Sequence, residues 1–226
     1  MGKDKLRRFA EMKELPNAFD EPLRYESEAI FPLQGKWRSD YFHNENPIVL
    51  ELGCGKGEYC VGMGQHFPNK NFIGVDIKGA RMWVGAKQAL EENLSNVAFL
   101  RTRIELIDRY FAADEVDEIW LTFSDPQPKK PNKRLSSRQF VERYQKILKK
   151  DGIVHMKTDS DLLFESTQEQ IAEHHYEVLE STWDLYGELP EKLDEVTRDI
   201  LQIKTHYEKL FTAKGHVIKY CKFKVH

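Results

Sequence analysis

Short apolar runs recur along the chain at 48–52, 71–75, 97–100, 118–123 and 152–156, each of strand length. Longer segments separate them at 58–67, 79–94, 104–112 and 136–149. Such strand–helix alternation predicts an α/β domain, a parallel sheet with helices on both faces. Within 79–94, Ala80, Trp83, Val84, Ala86, Lys87 and Leu90 fall mostly on one helical face. Ser136, with Gln139 three residues later, reads as a helix start, and Lys149-Lys150-Asp151-Gly152 as a helix end. After Asp159 the pattern predicts a helix at 162–174 and strands at 176–181 and 216–223. Residues 1–45 read as an N-terminal extension, partly helical, with turns at Pro16, Pro22 and Pro32. Residues 46–226 read as a single domain, without repeats or low-complexity linkers.

Composition supports a packed core. Of 226 residues, 40% are hydrophobic, which excludes a globally disordered chain. No apolar run reaches the roughly 18 residues of a membrane span. The first twenty residues lack the apolar centre of a secretion signal. Cys54, Cys60 and Cys221 form no metal-ligand spacing and read as reduced thiols of a cytoplasmic protein. Net charge is −3, yet 129–150 holds nine Lys or Arg against one acid, Glu142. The stretch 204–224 holds six Lys against one Glu, while acids gather in 184–199. A charge run is often a solvated face. Two basic stretches in an acidic chain point further, to a polyanionic partner.

Chemistry-bearing residues sit where the predicted strands end. IVLELGCGKGEY, residues 48–59, is a strand, then Gly53-x-Gly55-x-Gly57, then a helix. Such glycines allow a tight turn and close approach of a ligand to backbone. The dinucleotide version needs a further glycine where this chain has Glu58. Glu51, at the mouth of the turn, would repel a pyrophosphate and suit a cationic cofactor. Asp76 ends the second strand, 19 residues after Gly57. It could accept both hydroxyls of a ribose, or cap the next helix. The fourth long strand runs into Ser124-Asp125-Pro126-Gln127-Pro128, followed by Lys129, Lys130, Lys133 and Arg134. Alone, that stretch reads equally as a turn.

Glu51-Leu52-Gly53-Cys54-Gly55-Lys56-Gly57 with Gly74-Val75-Asp76 resembles the S-adenosylmethionine-dependent, Rossmann-like class I methyltransferases. Phe123-Ser124-Asp125-Pro126-x-Pro128-Lys129-Lys130, His155-Met156-Lys157-Thr158-Asp159 and Thr205-His206-Tyr207-Glu208 are similar to the bacterial tRNA (guanine-N7)-methyltransferases. The resemblance spans about 20 to 226. It implies a seven-stranded, mostly parallel sheet with an antiparallel last strand. It also implies methyl transfer from S-adenosylmethionine, without a metal, to N7 of a variable-loop guanine in tRNA. Carried over, it assigns Glu51, Gly53, Gly55, Gly57, Asp76, Arg103 and Asp125 to the cofactor, and Asp125 to catalysis. Lys129, Asp159, Thr205, His206, Tyr207 and Glu208 fall on substrate-binding positions.

Two departures stand out. Arg103 replaces an acid, so any adenine contact there falls to backbone or to Glu105. Gln127 replaces a tryptophan, and the basic loop after Lys130 is shortened. Guanine N7 carries a free lone pair, so the implied role of Asp125 is positioning base and cofactor for in-line displacement, not removing a proton. A same-fold methyltransferase acting on a small acceptor, or an RNA-binding module without catalysis, stays open, as does monomer against homodimer.

Overall fold

The computed structural model describes residues 2–20, 29–188, 193–203, 208, 212 and 215–226. Helix α1 (Gly2–Glu11) and a two-residue strand β1 (Ala18–Phe19) open the chain. Then come β2 (Ile48–Leu52), α2 (Glu58–His66), β3 (Asn71–Asp76), α3 (Gly79–Glu91), β4 (Val97–Arg101) and β5 (Val116–Thr122). The second half adds α4 (Arg138–Tyr144), β6 (Leu148–Thr158), α5 (Asp161–Glu173), β7 (Glu177–Thr182), α6 (Glu195–Gln202) and β8 (Lys219–Lys224). All the strands join one sheet in the order β1-β4-β3-β2-β5-β6-β8-β7. Neighbours run parallel except β8, which is antiparallel to both β6 and β7. This is the Rossmann-like, mostly parallel sheet that the alternation and the resemblance imply.

Both faces of the sheet are covered, so its central strands are apolar at nearly every position. Ile48, Leu50 and Leu52 turn to one face and join Phe140, Val141, Leu163 and Phe164 from α4 and α5. Val49, Phe72 and Phe99 turn to the other and join Tyr59, Met82, Ala86 and Leu201 from α2, α3 and α6. Residues before β2 pack into the first of these clusters. Trp37 is fully buried there, its indole N–H donating to the Tyr110 carbonyl at 2.9 Å. Strand order reverses between β2 and β5, which opens a crevice beyond their carboxyl ends.

The structure departs from the sequence reading in six places. β1 adds an eighth strand, paired to Phe99 and Leu100 of β4, and is too short to show a period of two. In α3 the buried positions are Gly79, Met82, Gly85, Ala86 and Ala89, while Lys87 is exposed. Apart from Met82 the buried stripe is built of small residues, and at Gly85 this is required: a Cβ there would meet the Lys56 carbonyl at 2.5 Å and Phe99 at 2.8 Å. α4 is shorter than expected, and β6 begins at Leu148 rather than at 152. The Ser136 hydroxyl accepts from Thr167 at 2.7 Å instead of capping that helix. The segment Ile104–Arg109 is a 3₁₀ helix. α6 arises inside the acidic stretch, where the Asp194 carboxylate caps it by accepting from the Thr197 N–H at 2.8 Å.

The close seat of α3 on the glycine loop yields a prediction. Gly85→Ala should lower stability by about 2 kcal/mol, the usual cost of overpacking. The denaturant midpoint measures this; a wild-type midpoint would mean that helix and loop separate freely.

Candidate active site at the strand tips

Glu51 lies at the end of β2, opposite Gly74 of β3 and Trp120 of β5. It is 2% exposed. Its carboxylate accepts from the Thr122 hydroxyl at 2.5 Å and from the Cys60 N–H at 2.9 Å. Burial pushes its pKa from 4.5 up to about 8, against the pull of those two donors. The chain then turns through Gly53, Gly55 and Gly57 at φ of +79°, +57° and +74°, a region that other residues enter at a cost. A Cβ at Gly57 would strike the Phe99 ring at 2.4 Å, whereas one at Gly55 would meet nothing within 4 Å. Gly57 thus serves packing, and Gly55 leaves open backbone facing free space. Asp76, ending β3, accepts from the Gly55 N–H at 3.0 Å and from the Lys78 N–H at 2.9 Å. It holds the glycine loop and the entry to α3 at once, with lone pairs left over on each oxygen.

The end of β5 is bent. Phe123 has φ of +48°, unusual for a bulky residue, and its N–H donates to the Lys157 carbonyl at 2.8 Å. The Ser124 hydroxyl is buried without a hydrogen-bond partner. Asp125 is exposed, and one of its oxygens accepts from the Gln127 N–H at 2.9 Å. Gln127 in turn sits at φ of +43°. Arg134 braces this loop: it is 7% exposed, and its Nε donates to the Pro126 carbonyl at 2.9 Å. Lys133, Arg138, Lys146 and Lys149 are engaged with acids. Lys129, Lys130 and Lys150 are exposed, and their ammonium groups have no partner among the described residues.

These tips enclose one cavity of about 540 Å³, lined by Glu51, the glycine loop, Asp76, Thr122, Ser124 and Asp125, with Tyr59, Ile104 and Leu135 as apolar wall. A second cleft of about 680 Å³, between α1 and the start of α3, lacks those strand-tip carboxylates. The geometry therefore gathers Glu51, Gly53, Gly55, Asp76 and Asp125 as expected from the sequence. Gly57 adjoins the cavity as the N-cap of α2. Arg103 is exposed and does not line the cavity; Ile104 beside it does. Glu105, the alternative, is held by Lys133 at 3.0 Å. Lys129 and Asp159 lie outside the lining, one on the Asp125 loop and one just past the end of β6. Thr205, His206 and Tyr207 lie outside the described residues. Glu208, expected on the substrate, is instead fully buried, 3.0 Å from the Lys157 ammonium. Thr122 falls in no quoted motif, and Ser124 and Lys157, though inside two of them, have no role assigned there.

Residues 45–221 match the family model described as "Putative methyltransferase". A tRNA (guanine-N(7)-)-methyltransferase of Bacteroides thetaiotaomicron is 52% identical over 225 residues, covering 100% of this chain and 87% of that protein. The chain belongs to the tRNA (guanine-N7)-methyltransferase family. A relative with the same description in Christiangramia forsetii is 47% identical, over 99% of this chain and 98% of its own length. The crystal structure of the 16S rRNA methyltransferase KamB, 13% identical, superposes with a TM-score of 0.60 over 84% of this chain and 91% of its own, a likeness of fold alone.

The enzyme is an S-adenosylmethionine-dependent methyltransferase, and its cavity fits that cofactor. The open backbone at Gly55, the orphaned Ser124 hydroxyl and two fixed carboxylates provide partners for a cationic, hydroxyl-bearing ligand. Among the described residues, no group of three or more His, Cys, Asp or Glu could hold a metal ion. Among them, too, no helix is long and apolar enough to cross a membrane.

The raised pKa of Glu51 sets a pH dependence. Between about 4.5 and about 8 the folded enzyme holds a proton that the unfolded chain has lost, so this residue's contribution to stability falls as pH rises through that window. His155, lowered from 6.5 by burial, acts with the opposite sign below that value. Comparing wild type with Glu51→Gln cancels His155. Urea titrations should show wild type losing stability relative to the variant from pH 5 to pH 8, then levelling. A constant difference would refute the shifted carboxyl.

Proposed function

We propose that this enzyme methylates N7 of a guanine in tRNA, the variable-loop guanine. The reading is carried by the convergence of Asp125 with Glu51 and Asp76 on one cavity, in a chain 52% identical to a protein described by that activity. S-adenosylmethionine supplies a methyl group carried on a positively charged sulfur. Glu51 and the glycine loop would hold the cationic methionine end, and Asp76 the ribose hydroxyls. With Arg103 turned away, Ile104 and Leu135 would flank the adenine.

The acceptor nitrogen needs no base. The protein's task is to hold acceptor, methyl carbon and sulfur in line, which is a matter of proximity and orientation. Asp125 is suited to it. One of its oxygens is fixed by the Gln127 N–H, so the other has a set direction from which to accept from guanine N1–H and the exocyclic amine. The same carboxylate would offset positive charge arriving on the purine. Lys129 and Lys130 would bind phosphates, which positions RNA without reading sequence. Arg134, whose Nε is committed to Pro126, stiffens the loop. Asp159, Thr205, His206 and Tyr207 complete the proposed substrate set. The setting is the cytoplasm.

Unmodified tRNA transcript with methyl-labelled cofactor tests the reading. Label should appear at one variable-loop guanine, mapped by strand cleavage at reduced 7-methylguanine. Asp125→Ala should lower kcat by about a hundredfold or more, as for other fixed charge-stabilising groups. Asp125→Asn with near wild-type turnover and intact binding would sink the role given to Asp125. Cofactor binding without label on any tRNA would move the search to small acceptors.

A further inference from the structure

Lys157 ends the apolar run of β6 and is fully buried. A buried ammonium is costly unless each of its donors is met. Here all three are. Its Nζ donates to the Leu201 carbonyl at 2.9 Å, the Ile203 carbonyl at 3.2 Å and the Glu208 carboxylate at 3.0 Å. Three rings surround it, Tyr59 at 5.4 Å, Tyr186 at 5.7 Å and Phe123 at 6.0 Å, each adding cation–π attraction. The second oxygen of Glu208 accepts from the Tyr186 hydroxyl. Both oxygens of Glu208 are therefore committed inside the protein, and its side chain is fully buried. It could reach a nucleotide only by leaving Lys157 buried and unpaired.

The acceptors around this ammonium come from Leu201 in the last turn of α6, from Ile203 just after it, and from Glu208, the end of Thr205-His206-Tyr207-Glu208. On its other side, the backbone of Lys157 receives the Phe123 N–H, where the Asp125 loop begins. Tyr59 and Phe123 also line the cofactor cavity. One side chain thus joins the cavity wall, the root of the Asp125 loop and both ends of the stretch carrying Thr205, His206 and Tyr207. We infer that Lys157 is a positioning residue for the tRNA: it fastens Ile203 and Glu208 to the strand end from which the Asp125 loop springs, and Glu208 acts on the substrate only through Lys157. The inference rests on the tRNA reading above. It reassigns Glu208 from substrate contact to anchor.

A double-mutant cycle tests it. Lys157→Met removes the charge at similar length, and Glu208→Gln keeps volume and hydrogen bonding. Each single change should raise KM for tRNA about tenfold, within the range for coupled groups of one network. The double variant should be no worse than the worse single. Glu208→Gln, whose side chain does not line the cofactor cavity, should leave affinity for S-adenosylmethionine within about twofold, a split that general loosening of the fold would not produce. Limited proteolysis should open new cleavage between 203 and 215 in both variants.

Multiplying effects on KM would mean that Glu208 meets RNA on its own and would overturn the proposal. So would a Lys157→Met enzyme with wild-type KM and no new cleavage. If Lys157→Met does not fold, Glu208→Gln alone decides: raised KM with new cleavage supports the anchor, and raised KM without it favours direct contact. If the wild type methylates no tRNA, new cleavage still supports the anchor while the substrate reading fails, and unchanged cleavage overturns the anchor as well.

Discussion

The hydrogen bonds that Glu51 accepts from Thr122 and from the Cys60 backbone join β2, β5 and α2 at the one place where the strand order reverses. Burial in so dry a position, with smaller contributions from the Asp76 and Glu58 carboxylates, pushes its pKa up to about 8. The glycine loop must then turn within a few residues of it, which explains three left-handed glycines in five positions. α3 can approach that loop because Gly85 has no side chain where it faces Lys56 and Gly57. Each neighbouring feature follows from keeping this acid buried beside open space.

The cavity combines rigidity with a local cationic surface. The Asp125 loop is bent at Phe123, closed by the Gln127 turn and braced by buried Arg134. Most cations of the basic stretch are tied to neighbouring acids or carbonyls, and two of the free ones, Lys129 and Lys130, stand directly after the loop. Local electrostatics at this tip, rather than the net charge of −3, is what an RNA backbone would meet. Below it, Lys157 supplies the opposite device, a cation withdrawn from solvent that fastens protein to protein.

Much of this was legible in the sequence. Buried parallel strands carry dense apolar runs, so β2, β3, β4 and β5 stood out, and Glu51, Asp76 and Asp125 could be placed at their ends. What escaped depends on tertiary partners. β1 has two residues and no period. The buried face of α3 is mostly small, with Met82 its one long side chain, so Trp83 and Leu90 drew the eye away from Gly85 and Ala89. Ser136 gave its hydroxyl to Thr167 rather than to a helix end. Arg103 and Glu208 carried expected roles from matched positions, but exposure of one and burial of the other follow from packing that no local pattern encodes. Ser124 and Lys157 stood inside quoted motifs, but their roles could not be read for the same reason: an orphaned hydroxyl and a caged ammonium are facts of neighbours, not of spacing.

Calorimetry of S-adenosylmethionine binding, run at pH 7 in buffers of different ionisation heat, tests the central role of Glu51 most directly. A cationic ligand beside this buried acid should drive off its proton, so the account predicts release of about one proton by wild type and almost none by Glu51→Gln. Equal proton release by the two proteins, or none by wild type, would contradict it.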